Sequence, residues 1–164
     1  MRFFIEQRFP ASLDAVEAAF LSPELLGRMA SLPKVGGCEL LSQKTEGAKV
    51  FQQIRYRFTG ELSSAVTAVV DPANLSWVED SVLDTTTHLT TWKIVPDHYA
   101  SRLSCSGTFQ LQPRGDGETL RQTEAELKVH FPLVGGRVEK AIVSGLKEHA
   151  EGEEQMVADY LRGK

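Results

Sequence analysis

Residues 130–164 read HFPLVGGRVEKAIVSGLKEHAEGEEQMVADYLRGK, and the periodicity of this stretch decides the fold. Val134, Val138, Ile142, Leu146, His149, Met156 and Tyr160 recur at helical spacing, with Ala141, Gly145 and Gly152 in neighbouring positions. Lys140, Lys147, Glu148, Glu151, Glu154 and Asp159 lie largely off that stripe. Pro132 suits the first helical position because its missing N–H costs nothing there. Arg162, Gly163 and Lys164 suit a stop, with basic charge at the negative end of the helix dipole. A helix of about 29 residues and roughly 43 Å follows. No other stretch is periodic at 3.6 residues for even half that length. A single long amphipathic helix needs one large sheet surface to cover.

The rest of the chain supplies that surface. Residues 2–9 read as a strand ended by Pro10, with Phe3, Ile5, Gln7 and Phe9 on one face. Ser12 caps a short helix and Ser22-Pro23 restarts a second, with Ser22 as its cap. Residues 39–45 and 50–58 form a hairpin around Glu46-Gly47. Val50, Gln52, Ile54, Tyr56 and Phe58 share one face of its second arm; Phe51, Gln53, Arg55 and Arg57 share the other. Residues 61–70 fit a short helix bridging two hairpins better than a strand, and leave open the role of a lid. Residues 75–84 form the next strand, with Trp77, Glu79, Ser81 and Leu83 on one face. Residues 88–95 follow, with Trp92 and Ile94 together. Residues 102–112 alternate cleanly, Leu103, Cys105, Gly107, Phe109 and Leu111 against Ser104, Ser106, Thr108 and Gln110. Arg114-Gly115-Asp116-Gly117 is a turn. Residues 119–131 alternate again, with Thr123, Ala125, Leu127, Val129 and Phe131 facing in.

At 164 residues the chain is expected to form one domain, 1–164, large enough to hold a core without staples. A net charge of −4 argues against non-specific nucleic-acid binding, which needs a basic footprint. The first ten residues carry no signal-peptide core, and no apolar run is long enough for a membrane-spanning segment. Cys38 and Cys105 are the only cysteines, which points to buried thiols and a cytoplasmic setting. No nucleophile motif is present, and His88, His98, His130 and His149 lack metal-ligand spacing.

The order of strand, two short helices, six strands and long helix resembles the START-like or SRPBCC superfamily. That is the helix-grip fold shared with the major birch-pollen allergen, polyketide cyclases and lipid-transfer domains. Two stretches carry the resemblance: FPASLDAVEAAFLSPELL at residues 9–26 and HFPLVGGRVEKAIVSGL at residues 130–146. The second is similar to an uncharacterised bacterial branch, a domain of unknown function. There a Phe-Pro-hydrophobic-Val-Gly-Gly-basic-hydrophobic-Glu run opens the last helix, as Phe131 to Glu139 do here in turn. The resemblance implies an α+β fold, a curved seven-stranded antiparallel sheet wrapped around the C-terminal helix, with an apolar cavity between them. It carries no catalytic set and calls for no cofactor.

The candidate residues follow from which face each one shares. Glu79 sits between Trp77 and Leu83, where a carboxylate would be desolvated and its pKa raised; the competing reading puts Val78 and Val82 inward instead. Gln52 and Tyr56 are polar groups on an apolar face, suited to orient a ligand. His149 lies on the helix stripe, as a ligand partner, a general base or a satisfied histidine. Gly135-Gly136 permits either close backbone packing or an entrance. The acidic run Glu151, Glu153, Glu154 reads as a solvated helix face. The expected ligand is a small hydrophobic molecule of lipid, polyketide or isoprenoid type. Tyr56, Trp77, Trp92, Phe109, Leu127, Ile142 and Leu146 would line its cavity, and Gln52, Glu79 and His149 would make the polar contacts. The partners implied include no nucleic acid and no integral membrane segment; a homodimer stays open. Two alternatives stand beside this reading. One is a cyclase, dehydratase or hydrolase using Glu79 or His149 for proton transfer. The other is an interaction module without a cavity, using the outer sheet face around Phe51 and Arg55.

Overall fold

The computed structural model describes residues 1–163. Seven antiparallel strands form one sheet: β1 (Arg2–Phe9), β2 (Val35–Glu46), β3 (Lys49–Phe58), β4 (Ser76–Asp84), β5 (Leu89–Pro96), β6 (Leu103–Arg114) and β7 (Glu118–Val129). Their spatial order is β1-β7-β6-β5-β4-β3-β2. β2 to β7 therefore run as a meander, and only β1 crosses over, pairing with β7 from Arg2↔Glu126 to Phe9↔Thr119. The crossover carries α1 (Leu13–Phe20) and α2 (Pro23–Met29), which close one end of the fold. A single-turn helix, α3 (Ser64–Thr67), bridges β3 to β4. The long helix α4 (Gly135–Leu161, 27 residues) lies across the concave face. Among the described residues no helix is long and apolar enough to cross a membrane.

Parity decides what faces inward. Along β7 the residues Thr119, Thr123, Ala125, Leu127 and Val129 are buried, while Glu124, Glu126 and Lys128 are exposed. β2 breaks parity twice, with register shifts between Gly36 and Glu39 and between Leu40 and Ser42. Such bulges bend a strand and sharpen its twist, which helps the sheet curl toward α4. At the α1–α2 end Phe9, Val16, Leu25, Met29 and Leu120 are fully buried. Each such side chain contributes about 1.5–3 kcal/mol on burial.

The start of α4 is corrected, and two further local expectations are made specific. α4 starts at Gly135, three residues after Pro132. Residues 131–134 form a turn instead, closed by the Gly135 amide donating to the Phe131 carbonyl at 3.0 Å, with Leu133 at φ 67°. Gly135 then packs on β7: a Cβ there would stand 2.5 Å from the Val129 carbonyl oxygen. Close packing, rather than an entrance, accounts for that glycine. Ser22 takes the N-cap position of α2 but makes no side-chain cap hydrogen bond; its hydroxyl instead shares a 3.0 Å hydrogen bond with the Tyr160 hydroxyl and ties α2 to α4. Ser12 does cap α1, accepting from the Ala15 amide at 3.3 Å. At the other end of α4, Arg162 is the C-cap and Gly163 follows at φ 76°. The basic residue expected to close the chain, Lys164, lies outside the described residues.

Candidate functional site

A curved sheet cannot close fully on one straight helix, and space remains between them. The larger chamber holds about 110 Å³ and lies between α4 and the inner faces of β1 and β3–β7. Tyr56, Trp77, Glu79, Trp92, Phe109, Leu127, Ile142, Leu146 and His149 all line it. Gln52 does not. It lines a second chamber of about 70 Å³ toward α1 and α2, where its side-chain amide donates to Gln43 Oε1 at 2.8 Å. Its place near the turn of the β2–β3 hairpin moves it away from the rings. Tyr56, Glu79, Phe109, Arg121 and Glu153 border both chambers, so a polar partition divides the interior.

That partition is built by three strands and the helix. β1 brings Gln7, β4 brings Glu79, β7 brings Arg121, and α4 brings His149 and Glu153 one turn apart. Arg121 Nη1 donates to Glu153 Oε1 at 2.5 Å and to Gln7 Oε1 at 3.4 Å. Gln7 Nε2 donates to Glu153 Oε1 at 3.0 Å and to the Ala150 carbonyl at 2.9 Å. His149 Nε2 lies 3.6 Å from Glu153 Oε2. The Arg121 guanidinium is held between two rings, 4.1 Å from the Phe109 centroid and 4.4 Å from that of Phe20. A guanidinium over ring faces is favoured electrostatically, and more so away from water.

The two carboxyl groups of the partition differ sharply. Burial alone would raise Glu153, but Arg121, His149 and Gln7 outweigh it and hold the group down at about 2. Glu79 has no hydrogen-bond or ion-pair partner among the described residues. Burial pushes it up to about 7, against the pull of Arg121 and His149 and with the push of Glu153. Glu79 is half-buried by surface area and borders both chambers, so its uncovered surface faces them. Among the described residues three buried side-chain atoms lack partners, and two of them, Trp92 Nε1 and His149 Nδ1, belong to residues that line the larger chamber; the third is Arg55 Nε. Tyr56 meets the His149 ring edge-on at 6.5 Å, and Trp92 stacks on Phe109 at 5.1 Å. Burial also pushes the Cys38 and Cys105 thiols up to about 12. Both cysteines are free and buried.

The inward reading of Glu79 is the one the fold adopts, with Trp77, Ser81 and Leu83 all buried along the same parity. Glu153 is not on a solvated face: it is 6% exposed. It lies four residues beyond His149 on the stripe, where Arg121 and Gln7 satisfy it. Glu151 and Glu154 remain off the core, as expected. Arg121 has the same parity as Thr119 and Thr123, so the alternation of β7 already turned it inward. The outer-face candidate Arg55 is engaged by Asp97 at 3.2 Å.

Several solved structures share this fold. The protein TTHA0849 from Thermus thermophilus is 16% identical, with 99% of this chain and 98% of that chain covered and a TM-score of 0.68. The Zhui aromatase/cyclase from Streptomyces sp. R1128 is 11% identical, over 99% and 96%, also at 0.68. A START superfamily protein from Mycobacterium smegmatis is 16% identical, over 97% and 98%, at 0.60. At these identities the likeness shows the helix-grip fold alone. No curated protein matches the chain. Residues 5–161 match the model of a family described as a protein of unknown function, DUF2505, and with nearly its whole length matched the chain belongs to that family.

Proposed function

We propose that the chain binds a small, largely apolar molecule between the sheet and α4. The observation that carries this is a chamber between sheet and helix walled by Tyr56, Trp77, Trp92 and Phe109, with an unpartnered carboxyl group facing it. A filled core has no use for that combination, because burying an unmet carboxyl group costs free energy. Size narrows the ligand. Drug-sized sites run to about 300–1,000 Å³, whereas an engineered cavity of about 150 Å³ takes benzene. A chamber of about 110 Å³ suits a single ring or a short branched chain. A lipid or isoprenoid would require the two chambers to merge around the partition. The free Trp92 Nε1 offers such a ligand a hydrogen bond.

Glu79 favours one second reading, an enzyme that moves a proton. Its acidity near neutrality suits a general acid or base, and one structure of the same fold is an aromatase/cyclase. Native mass spectrometry of the purified protein, before and after denaturation, tests the first reading. A co-purifying apolar mass released on denaturation is the expected result. Bare protein, with no uptake of added single-ring compounds, contradicts it. Glu79→Gln tests the second reading through turnover: an enzyme that uses this group for proton transfer loses turnover, whereas a binder has none to lose.

A further inference from the structure

The charges of the interior do not balance, and the imbalance has a definite sign. Arg121 is neutralised by Glu153, and Gln7 completes that pair. Glu79 is left without a hydrogen-bonded or ion-paired partner, in a chamber that Tyr56, Trp77, Trp92, Ile94 and Phe109 line together with the Arg121–Glu153 pair and His149. The groups near it are Tyr56 on β3, Cys38 on β2, Cys105 on β6, Arg121 on β7, and His149 and Glu153 on α4. Of these, Arg121 is already paired with Glu153, and His149 lies 3.6 Å from the same carboxylate. The aromatic faces of this same interior already accept one cation, the guanidinium stacked on Phe109 and Phe20.

Resting on the ligand-binding reading above, we propose that the ligand is a small organic cation, a primary or secondary ammonium on a single ring or short apolar chain, bound by Glu79 among these rings. An ammonium supplies the missing counter-ion, donates the hydrogen bonds that the carboxylate lacks, and rests favourably against aromatic faces. A carboxylic acid of the same size would set a second negative charge beside Glu79. A neutral alcohol or ketone would leave the charge uncompensated.

Calorimetry with three isosteric probes, benzylamine, benzyl alcohol and benzoate, tests this on the intact chain. Benzylamine is expected to bind at least about tenfold more tightly than benzyl alcohol at pH 8, with benzoate weakest. Only the ionised carboxylate takes the cation, so benzylamine affinity should fall about thirtyfold from pH 8 to pH 5.5, the ratio of the ionised fractions of a group at about 7. Glu153, held at about 2, stays ionised over that window, and a His149→Gln variant that retains the fall assigns it to Glu79. In Glu79→Gln the preference for the amine should vanish while benzyl alcohol still binds, which shows that the chamber is intact. If that variant fails to fold, the pH dependence of the wild type decides. Benzyl alcohol binding as tightly as benzylamine, or amine affinity indifferent to pH, overturns the cation inference and leaves the chamber as a binding site. No binding by any probe overturns both.

Discussion

Replacing Glu79 by glutamine should stabilise the free protein, by an amount set by pH. In the unfolded chain the carboxyl group titrates at its ordinary 4.5; in the fold burial raises it to about 7. The folded state therefore holds its proton more tightly. The group's favourable contribution is complete below pH 4.5 and is lost as pH rises through 7. Glutamine cannot ionise and escapes that loss. Linkage puts the advantage of the variant at about 0.2 kcal/mol at pH 4, about 0.8 at pH 5 and about 3 at pH 8. The amide's own unmet hydrogen bonds add an offset that does not vary with pH. The gap between variant and wild type should thus widen by about 2.5 kcal/mol from pH 5 to pH 8 when the chamber is dry, and by about 1 if water screens the carboxylate. For a chain of this size 1 kcal/mol is roughly 2–4 °C in Tm. Urea melts of both proteins at the two pH values measure it, with Glu153 and Arg121 common to both. A gap that stays flat or narrows with pH would refute the placement of Glu79 in an enclosed, unpartnered site.

Three further outcomes follow from the same packing. Arg121→Met strands the Glu153 charge and should cost about 3–5 kcal/mol, whereas the double variant Arg121→Met/Glu153→Leu should recover most of it; urea denaturation of the three proteins checks this, and an additive double variant contradicts it. Gly145→Ala sets a Cβ 2.7 Å from Phe58 Cε2 and 3.2 Å from Lys34 Cβ, so the denaturation midpoint should fall by the equivalent of about 1–3 kcal/mol with an unchanged slope. Burial holds the Cys38 and Cys105 thiols at about 12, so a thiol reagent at pH 8 should label them only as the chain opens; rapid labelling of the native protein would contradict their packing.

The fold was legible because its signals are local. The alternation in 103–111 and 119–129 and the stripe from Val138 to Tyr160 each follow from one backbone period. The inward aim of Glu79 followed from the parity of Trp77 and Leu83. The partition was not legible, because its pairs lie far apart: Gln7 and Glu153 are separated by 146 positions, Arg121 and Glu153 by 32. A charged residue read alone belongs at the surface, and only the meeting of β1, β7 and α4 supplies the partners that bury these two. Pro132 misplaced the start of α4 for a related reason. It satisfies the local rule for a first helical residue, but the Phe131 turn and the approach of Gly135 to Val129 delay the helix by three residues. Gln52 shares a strand face with Tyr56, yet strand curvature and Gln43 put it in the other chamber.

Methyl-resolved NMR of the protein titrated with a single-ring probe tests the central claim most directly. Binding between sheet and helix predicts saturable shifts at the methyl groups of Ile94, Leu127, Ile142 and Leu146, which line the chamber from β5, β7 and α4. Leu41, Val69 and Val95, on the exposed surface, should stay still. Shifts confined to those surface groups, or none at any site, would contradict an interior binding site.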